Sequence, residues 1–302
     1  MFVYRSAPDV EIWAPAKLNL FLEVLTRRHD GFHEVETLMC PIRLYDTLFI
    51  RDDCTGEVSV SCDFAAGNWG QQALGAANFP EGSDNSVVRA VELVRQRAGV
   101  ARGASIRLVK RIPVASGLAG GSSDAAAALV GACVCWGIEL PSRELAELAA
   151  EIGSDVPFFL EPGPAICRGR GERIGRLPAR PKLDFVVVRP PAGLSTADVY
   201  RACRPAARPR SLAPLLAAWA AGDRTAAGRC LHNRLEPAAA TLSPWIARLR
   251  QEFDKLDVLG HQMSGSGTAY FGLCRNARQA RRLAAHLRNR GVGQACAVSS
   301  CR

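Results

Sequence analysis

The sequence of 302 residues lacks any apolar run long enough to cross a membrane. A spanning helix needs about 20 residues, and the longest run, residues 125–138, is shorter. The N-terminal stretch MFVYRSAPDVE lacks the basic segment and apolar core that mark a secretory signal. We therefore expect a cytoplasmic protein with no membrane partner. Its length favours about two domains with a sizeable core.

Paired cysteines are missing as well. The 11 cysteines form an odd number, are scattered from Cys40 to Cys301 and include no C-x-x-C motif. This distribution argues against a disulfide framework and a zinc site, so we expect small buried core residues. Lysine is also scarce, because only four of the 38 basic residues are lysine. A compact ammonium suits contact with phosphate oxygens, and two of the four, Lys17 and Lys110, lie beside motifs described below.

The formal net charge of +9 is not concentrated in one block. The densest basic patch, RNARQARRLAAHLRNR at residues 275–290, has small apolar residues at helical spacing. It predicts an amphipathic helix whose basic side is a solvated face. Few aromatic residues lie between the arginines, so we expect no nucleic-acid partner. A basic surface favours an anionic small-molecule substrate such as a nucleotide.

Helical and strand patterns are mixed without strict alternation, which predicts an α+β fold in two domains. We predict helices over SDNSVVRAVELVRQRAG and residues 142–152, and a strand over ASIRLVKRI. Further strands are expected near residues 185–188, 260–264 and 269–274, with helices near Leu212, Trp245 and Arg278. Residues 64–81 predict a long loop or insertion. Arginine, glycine and proline at residues 162–181 mark a junction, so we predict domains at 1–162 and 163–302.

The segment IWAPAKLNLFLEVL, residues 12–25, alternates in polarity from Lys17 onward. Leucine and valine occupy one face of the predicted strand, whereas Lys17 and Asn19 share the other. Two polar side chains are therefore expected to project the same way. From the residues alone, Lys17 is either a surface charge at a strand end or a functional ammonium.

The segment PVASGLAGGSSDAAAAL contains three glycines, two serines and a run of alanines. We predict that Ser122 and Ser123 cap a helix formed by the alanines. A loop that ends at a helix N-terminus presents unpaired N–H groups to an anion. The segment lacks the G-K-[ST] of a Walker A loop and the G-x-G-x-x-G spacing, so the residues leave two alternatives, a phosphate cradle or a helix-packing turn. Asp124 would repel a phosphate, and we expect it to face a magnesium ion or its waters, or solvent.

Four motifs, APAKLNLFL, PVASGLAGGSSDAAAAL, GSDVPFFL and MSGSGTAYF, follow one another along residues 14–271. In this order and spacing the chain resembles the galactokinase, homoserine kinase, mevalonate kinase and phosphomevalonate kinase (GHMP) superfamily. The joined segments PAKLNLFLEV and DGFHEVETLM, with RGRGERI further on, make it similar to the 4-diphosphocytidyl-2-C-methyl-D-erythritol kinases. This resemblance implies an N-terminal domain like the second domain of ribosomal protein S5 and a ferredoxin-like C-terminal domain.

The resemblance also implies an activity and its residues. The expected reaction is ATP- and Mg²⁺-dependent phosphorylation of the 2-hydroxyl of 4-diphosphocytidyl-2-C-methyl-D-erythritol, in the non-mevalonate isoprenoid pathway, by a monomer or homodimer. Asp155 would take the hydroxyl proton, with Lys17 assisting. Substrate contacts would come from Asn19, Phe32, His33, Thr196 and Tyr200, with His33 recognising cytosine and the aromatic rings stacking on it. ATP contacts would come from Asn85, Lys110, Pro113, Val114, Ala115, Ser116, Gly117, Leu118, Ala119, Gly120, Gly121, Ser122 and Ser123.

The chain departs from the family in the segment NRLE, residues 233–236. The family commonly has N-D-L-E there, so Arg234 reverses a charge.

Two other functions stay open. Another small-molecule kinase of the superfamily would be indifferent to the cytidyl group. A non-enzymatic nucleic-acid-binding protein would bind RNA with a steep salt dependence and turn over no ATP.

Overall fold

The computed structural model describes residues 1–6, 9–65, 82–178 and 182–301. Strands and helices follow one another there without strict alternation, as predicted. The strands are β1 Phe2–Ser6, β2 Asp9–Arg27, β3 His33–Asp53, β4 Val58–Phe64, β5 Gly103–Lys110, β6 Ala165–Gly169, β7 Arg173–Arg176, β8 Asp184–Arg189, β9 His232–Asn233, β10 Gly260–Met263, β11 Tyr270–Cys274 and β12 Gln294–Ser299. The helices are α1 Ser86–Ala98, α2 Gly120–Trp136, α3 Ser142–Ile152, α4 Val156–Leu160, α5 Thr196–Ala202, α6 Ala213–Ala221, α7 Arg224–Arg229, α8 Glu236–Leu242, α9 Pro244–Asp254 and α10 Ala277–Asn289.

The described residues group into two compact units, and each unit is built from several separate stretches of the chain. The first unit takes its residues from 1–16, 44–114 and 119–162. The second takes them from 17–43, 115–118 and 163–302. The long strands β2 and β3 therefore contribute residues to both units. The assignment of two domains at 1–162 and 163–302 stays a prediction.

The first unit is organised around β5. This strand pairs antiparallel with the second half of β3, from Thr47 opposite Val109 onward, and parallel with β4. Helix α2 is buried along most of its length. A Cβ added to Gly131 of α2 would lie 2.4 Å from Ile50 Cδ1 and 2.6 Å from Ile12 Cδ1. The small residues of this helix thus allow it to lie close against the sheet.

Helix α1 has the two ends that its sequence predicts. The side chain of Asn85 accepts a hydrogen bond from the Val87 amide at 2.8 Å, which caps the N-terminus. Gly99 ends the helix in the left-handed conformation, with φ of 65°. The valines between these ends, among them Val91 and Val94, are buried.

The second unit contains a four-stranded antiparallel sheet in the order β10-β11-β8-β12. All six residues of the central strand β8 are buried, which is typical of a strand covered on both faces. Helix α10 buries Ala280, Leu283, Ala284 and Leu287 and leaves its arginines exposed. The predicted strands and the amphipathic helix of this half are confirmed.

All 11 cysteines lie within the described residues and are free thiols. Cys40, Cys133, Cys167, Cys203 and Cys274 are buried, as expected, whereas Cys54 is exposed. Burial raises the pKa of the Cys133 thiol to about 11, so this thiol is poorly reactive at neutral pH.

No helix within the described ranges is both long enough and apolar enough to cross a membrane.

Candidate functional site

Lys17 and Asn19 form a buried polar pair on β2. Their exposed fractions are 3% and 1%, so Lys17 is not a surface charge. The Lys17 Nζ donates to Asn19 Oδ1 at 2.6 Å and to the Gly117 carbonyl oxygen at 3.0 Å. The prediction that both side chains project from one face is confirmed. Burying an ammonium costs free energy unless it is hydrogen-bonded, so a lysine buried at this position indicates a functional role.

Asn19 is fixed from several sides. Its Nδ2 donates to Thr37 Oγ1 at 2.8 Å, and its main-chain amide lies 3.4 Å from Ser264 Oγ. The side chain of Gln262 donates to the Asn19 carbonyl oxygen at 2.7 Å. The carboxamide is therefore held in one orientation, with its oxygen turned towards Lys17.

Residues 115–118 of the glycine-rich segment are fastened to neighbouring strands of the second unit. Leu118 accepts a hydrogen bond from the Lys17 amide at 3.1 Å, and Ser116 accepts one from the Ala269 amide at 2.8 Å. The carbonyl oxygen of Gly117 also accepts from Ser264 Oγ at 3.1 Å. The MSGSG segment joins the antiparallel strands β10 and β11 as a hairpin, and the same segment contacts the loop.

Glycine is required at position 117 for two reasons. Its φ is 77°, and an added Cβ would lie 2.1 Å from the Ser264 carbonyl oxygen. We expect Gly117→Ala to lower the free energy of unfolding by more than about 1 kcal/mol, because both the backbone and Ser264 must shift. Urea unfolding measures this loss. Gly121→Ala is the matched control, since a Cβ there meets nothing within 4 Å, and alanine is the better helix former. Equal stabilities for the two variants would contradict the prediction.

The helix after the glycines begins earlier than predicted. Helix α2 starts at Gly120, and its N-cap residue is Ala119, whose φ of 56° is left-handed and whose side chain makes no capping bond. The prediction that Ser122 and Ser123 cap this helix is wrong, because both lie inside its first turn. Ala115 also has a positive φ, of 51°. The first main-chain amides of α2 have no partner inside the helix, which keeps them available for an anion.

Asp124 does not face solvent, which was one of its two expected environments, while its expected orientation towards a magnesium ion stays a prediction. Asp124 is only 2% exposed, and its Oδ2 accepts a hydrogen bond from Lys110 Nζ at 2.6 Å. Lys110 also pairs with the fully buried Asp46, which accepts from the Ile112 amide at 2.8 Å as well. This triad ties the end of β5 to α2, because Lys110 ends β5 and Asp124 lies in α2. Burial raises the pKa of Asp124 to about 8, against the opposing attraction of the Lys110 ammonium.

Asp155 and Asn85 occupy helix starts in the first unit. Asp155 precedes α4, is half-buried and makes no capping hydrogen bond with its side chain. Asn85 is buried and caps α1, so it has a structural task in addition to the nucleotide contact that the resemblance implies. Ser123 Oγ is buried without a hydrogen-bond partner among the described residues.

The aromatic residues of the predicted cytosine site lie in the second unit. The rings of His33 and Tyr200 are 5.3 Å apart at an angle of 35°. Phe32 is 49% exposed, and the guanidinium carbon of Arg170 lies 4.8 Å from its ring centroid. Burial lowers the pKa of His33, and the positive charge of Arg27 lowers it further, which favours a neutral imidazole at pH 7. Thr196 Oγ1 lies 2.9 Å from Ser266 Oγ.

Sequence reasoning missed several residues that shape these groups. Asp46 stands in a strand with no motif around it, and Thr37 lies in the quoted segment DGFHEVETLM, where nothing distinguishes it from its neighbours. The hydrogen bond between Asn19 and Ser264 joins positions 245 residues apart. Arg170 lies in the quoted segment RGRGERI, which was the only signal for it. Within the described residues no group of three or more His, Cys, Asp or Glu side chains is placed to hold a metal ion.

Two family profiles match the chain. The profile of the GHMP kinases N terminal domain matches residues 85–163, and that of the GHMP kinases C terminal domain matches residues 212–293. A homoserine kinase structure from Cytophaga hutchinsonii aligns with a TM-score of 0.76 over 99% of this chain and 96% of that one, and its 18% identity indicates a shared fold. The fold and site therefore define a GHMP kinase, which is a small-molecule kinase. The predicted α+β GHMP fold is confirmed.

Closer relatives share one name. The 4-diphosphocytidyl-2-C-methyl-D-erythritol kinase of Pelotomaculum thermopropionicum is 44% identical over 91% of this chain and 92% of its own length. A crystal structure of 4-(cytidine 5'-diphospho)-2C-methyl-D-erythritol kinase is 37% identical and aligns with a TM-score of 0.77 over 97% of this chain and 99% of that one. The chain belongs to the 4-diphosphocytidyl-2-C-methyl-D-erythritol kinase family.

Proposed function

We propose that this protein transfers the γ-phosphoryl group of ATP to the 2-hydroxyl of 4-diphosphocytidyl-2-C-methyl-D-erythritol, a step in isoprenoid precursor synthesis. The observation that carries the proposal is the 44% identity to a kinase of that name over nearly the whole chain. The buried pair of Lys17 and Asn19, bonded to Gly117 of the glycine-rich loop, supports it. A cytoplasmic location and a monomeric or dimeric state stay predictions.

The glycine-rich loop is the proposed phosphate site. Residues 113–123 would surround the ATP phosphates, and the main-chain amides at the start of α2 would donate to them. Asn85 and Lys110 are proposed to support nucleotide binding from the first unit, Lys110 by holding α2 through Asp124. Phosphoryl transfer depends on such positioning and on charge stabilisation more than on covalent help.

Mg²⁺ fits the residues present in the first turns of α2. Mg²⁺ takes oxygen ligands and usually keeps several waters and substrate phosphate oxygens, so one protein oxygen suffices to orient it. Ser123 Oγ is such an oxygen, and so is Asp124 Oδ1, because both are buried and neither has a hydrogen-bond partner among the described residues. When bound with ATP, the ion neutralises phosphate charge during transfer. Ser123 would hold it, and the start of α2 would fix Ser123.

Asp155 and Lys17 carry the proposed chemistry at the acceptor hydroxyl. Asp155 would accept the hydroxyl proton as the oxygen attacks phosphorus. Lys17 would stabilise the negative charge that develops on the attacking hydroxyl oxygen and on the transferred phosphoryl oxygens. Its hydrogen bonds to Asn19 and Gly117 keep the ammonium in one place, so little reorganisation is needed during the reaction.

The cytidyl end of the substrate is assigned to His33, Phe32 and Tyr200. A neutral imidazole can both donate and accept hydrogen bonds, as recognition of a cytosine edge requires. The exposed ring of Phe32 and the ring of Tyr200 offer stacking surfaces. Asn19 and Thr196 are proposed to contact the rest of the substrate.

The test of the function is a direct assay. The purified protein is incubated with Mg-ATP and the diphosphocytidyl substrate, and ADP release and the phosphorylated product are measured together. We expect stoichiometric formation of both. Absence of product from the wild-type protein would exclude the proposed function, and equal turnover of methylerythritol lacking the cytidyl group would favour another kinase of the superfamily.

His33→Ala tests the cytidyl assignment. We expect KM for the diphosphocytidyl substrate to rise by on the order of 10- to 100-fold with a smaller change in kcat, because the lost hydrogen bonds serve binding. Steady-state kinetics with both substrates measure this change. His286→Ala on α10 is the control, since its helix carries no proposed site residue. Unchanged cytidyl selectivity in His33→Ala would refute the assignment.

A further inference from the structure

The segment NRLE lies directly beside β2 in the second unit. His232 and Asn233 form β9, which runs parallel to β2 with Phe21 opposite His232 and Leu22 opposite Asn233. The Arg234 amide extends this ladder by donating to the Leu22 carbonyl oxygen at 2.8 Å. The segment is therefore attached to the same strand that carries Lys17 and Asn19.

Two side chains of the segment hold the residues that join β10 to β11. Asn233 Nδ2 donates to the carbonyl oxygens of Met263 and Gly265, both at 2.8 Å. Glu236 accepts a hydrogen bond from the Met263 amide at 3.0 Å. Asn233 also accepts from the Leu235 amide at 2.9 Å, which fixes the orientation of its carboxamide.

The residues held in this way contact Lys17. A Cβ on Gly265 would lie 3.1 Å from both Lys17 Nζ and the Gly117 carbonyl oxygen, so the backbone there packs directly against the ammonium. Ser264 donates to the same Gly117 oxygen at 3.1 Å. A shift of residues 263–267 would consequently move the surroundings of both Lys17 and the loop.

Arg234, which stands where the family commonly has an acid, is anchored by a buried carboxylate. Glu23 is fully buried, and its oxygens accept from Arg234 Nε at 2.6 Å and Arg234 Nη2 at 2.9 Å. The same carboxylate accepts from the main-chain amides of Val24 and Arg210 at 3.0 and 2.8 Å, and it lies 3.1 Å from His232 Nε2. This two-bond geometry fixes both partners more tightly than a single contact would.

We propose that the Glu23–Arg234 ion pair positions Asn233 and, through Asn233, residues 263–267 against Lys17 and Gly117. Glu23, Arg234 and Asn233 are positioning residues, since none is proposed to touch a reacting atom. The inference rests on the proposed function for its kinetic consequence. It also predicts a conformational consequence that requires no turnover.

The experiment compares Arg234→Met with Arg290→Met. Arg290 forms a similar two-bond pair with Glu252 on the surface of the same unit, at 3.1 and 3.2 Å, and is the matched control. Arg234→Lys keeps the charge without the two-bond geometry. Exchanging the two charges by placing arginine at position 23 and glutamate at position 234 is unsuitable. Glu23 also accepts hydrogen bonds from two main-chain amides, which an arginine cannot accept. Glu23→Gln, which keeps the volume, serves if Arg234→Met does not fold.

Two readouts distinguish positioning from simple stabilisation. We expect Arg234→Met to lower kcat by on the order of 10- to 100-fold while KM changes by less than about threefold, since a small displacement of catalytic groups acts mainly on the transition state. We also expect faster hydrogen exchange at the amides of Ser264, Gly267 and Ala269. The first two donate to carbonyl oxygens within residues 264–269, and the third donates to Ser116 of the glycine-rich loop. Arg234→Lys should lie between wild type and Arg234→Met.

The opposite results would overturn the inference. If Arg234→Met, or Glu23→Gln in its place, lowers the melting temperature but exchanges at these amides as slowly as Arg290→Met, the pair only stabilises the fold. If the wild-type protein is active and the variant has an unchanged kcat, the ion pair likewise only stabilises the fold. A wild-type protein without turnover would exclude the proposed function, while the exchange comparison would still decide the positioning role.

Discussion

Replacing Asp155 with asparagine is expected to lower kcat by on the order of 10²- to 10⁴-fold, with KM for both substrates within about threefold. Asparagine has nearly the same shape but cannot accept a proton from the substrate hydroxyl. Asp155 makes no capping hydrogen bond at the start of α4, so the substitution removes no helix cap. Coupled measurement of ADP release in the steady state gives the two constants.

A second aspartate at a helix start provides the control for this prediction. Asp223 caps α7 by accepting from the amides of Thr225 and Ala226, both at 2.9 Å. Asparagine is an equally good N-cap residue, so Asp223→Asn should retain both stability and activity. If Asp155→Asn, folded as the wild type is, releases ADP undiminished, the proposed base is not Asp155.

Replacing Lys110 with methionine is expected to lower the free energy of unfolding by about 3–5 kcal/mol. The substitution leaves the carboxylates of Asp46 and Asp124 buried side by side without their shared ammonium. An uncompensated buried charge costs much more than the pair contributes when complete. Urea unfolding followed by circular dichroism measures the difference. The effect should be accompanied by a weaker attachment of α2, whose first turn is the proposed phosphate site.

Lys255 is the matched control for Lys110. It pairs with Glu252 one helical turn away at 2.9 Å, and its side chain is 63% exposed. Because exposed pairs of this kind contribute little, Lys255→Met should unfold at nearly the wild-type urea concentration. Equal loss of stability in the two variants would show that the Asp46–Lys110–Asp124 triad is not a special support of the first unit.

The parts of the fold that depend on local pattern could be predicted from the sequence. Alternation placed Lys17 and Asn19 on one face of β2, and polar and glycine residues at its two ends located α1. Both cases depend on residues a few positions apart, where the period of a strand or a helix is decisive. The strands β8 and β11 were likewise predictable from the local pattern of apolar residues.

The parts that failed depend on residues far apart in the sequence. Nothing near Asp124 indicates that Lys110 and Asp46 enclose it, and Asp46 lies 64 positions from its lysine. The start of α2 was misplaced because propensity favours serine at a cap, whereas here a left-handed alanine followed by glycine starts the helix. Residues 66–81, most of the predicted insertion at 64–81, lie outside the described residues, while Phe64 ends β4.

The left-handed conformations of Ala115 and Ala119 restrict how this loop can vary over generations. Alanine tolerates these backbone angles at a cost of roughly 1 kcal/mol per position, glycine at almost none, and a β-branched residue at far more. A single base separates the codons of alanine and glycine. Substitution at both positions is therefore restricted to residues that adopt left-handed angles, glycine first and asparagine or aspartate after it. Selection for thermal stability would favour the glycine form unless the stiffer alanine loop benefits turnover.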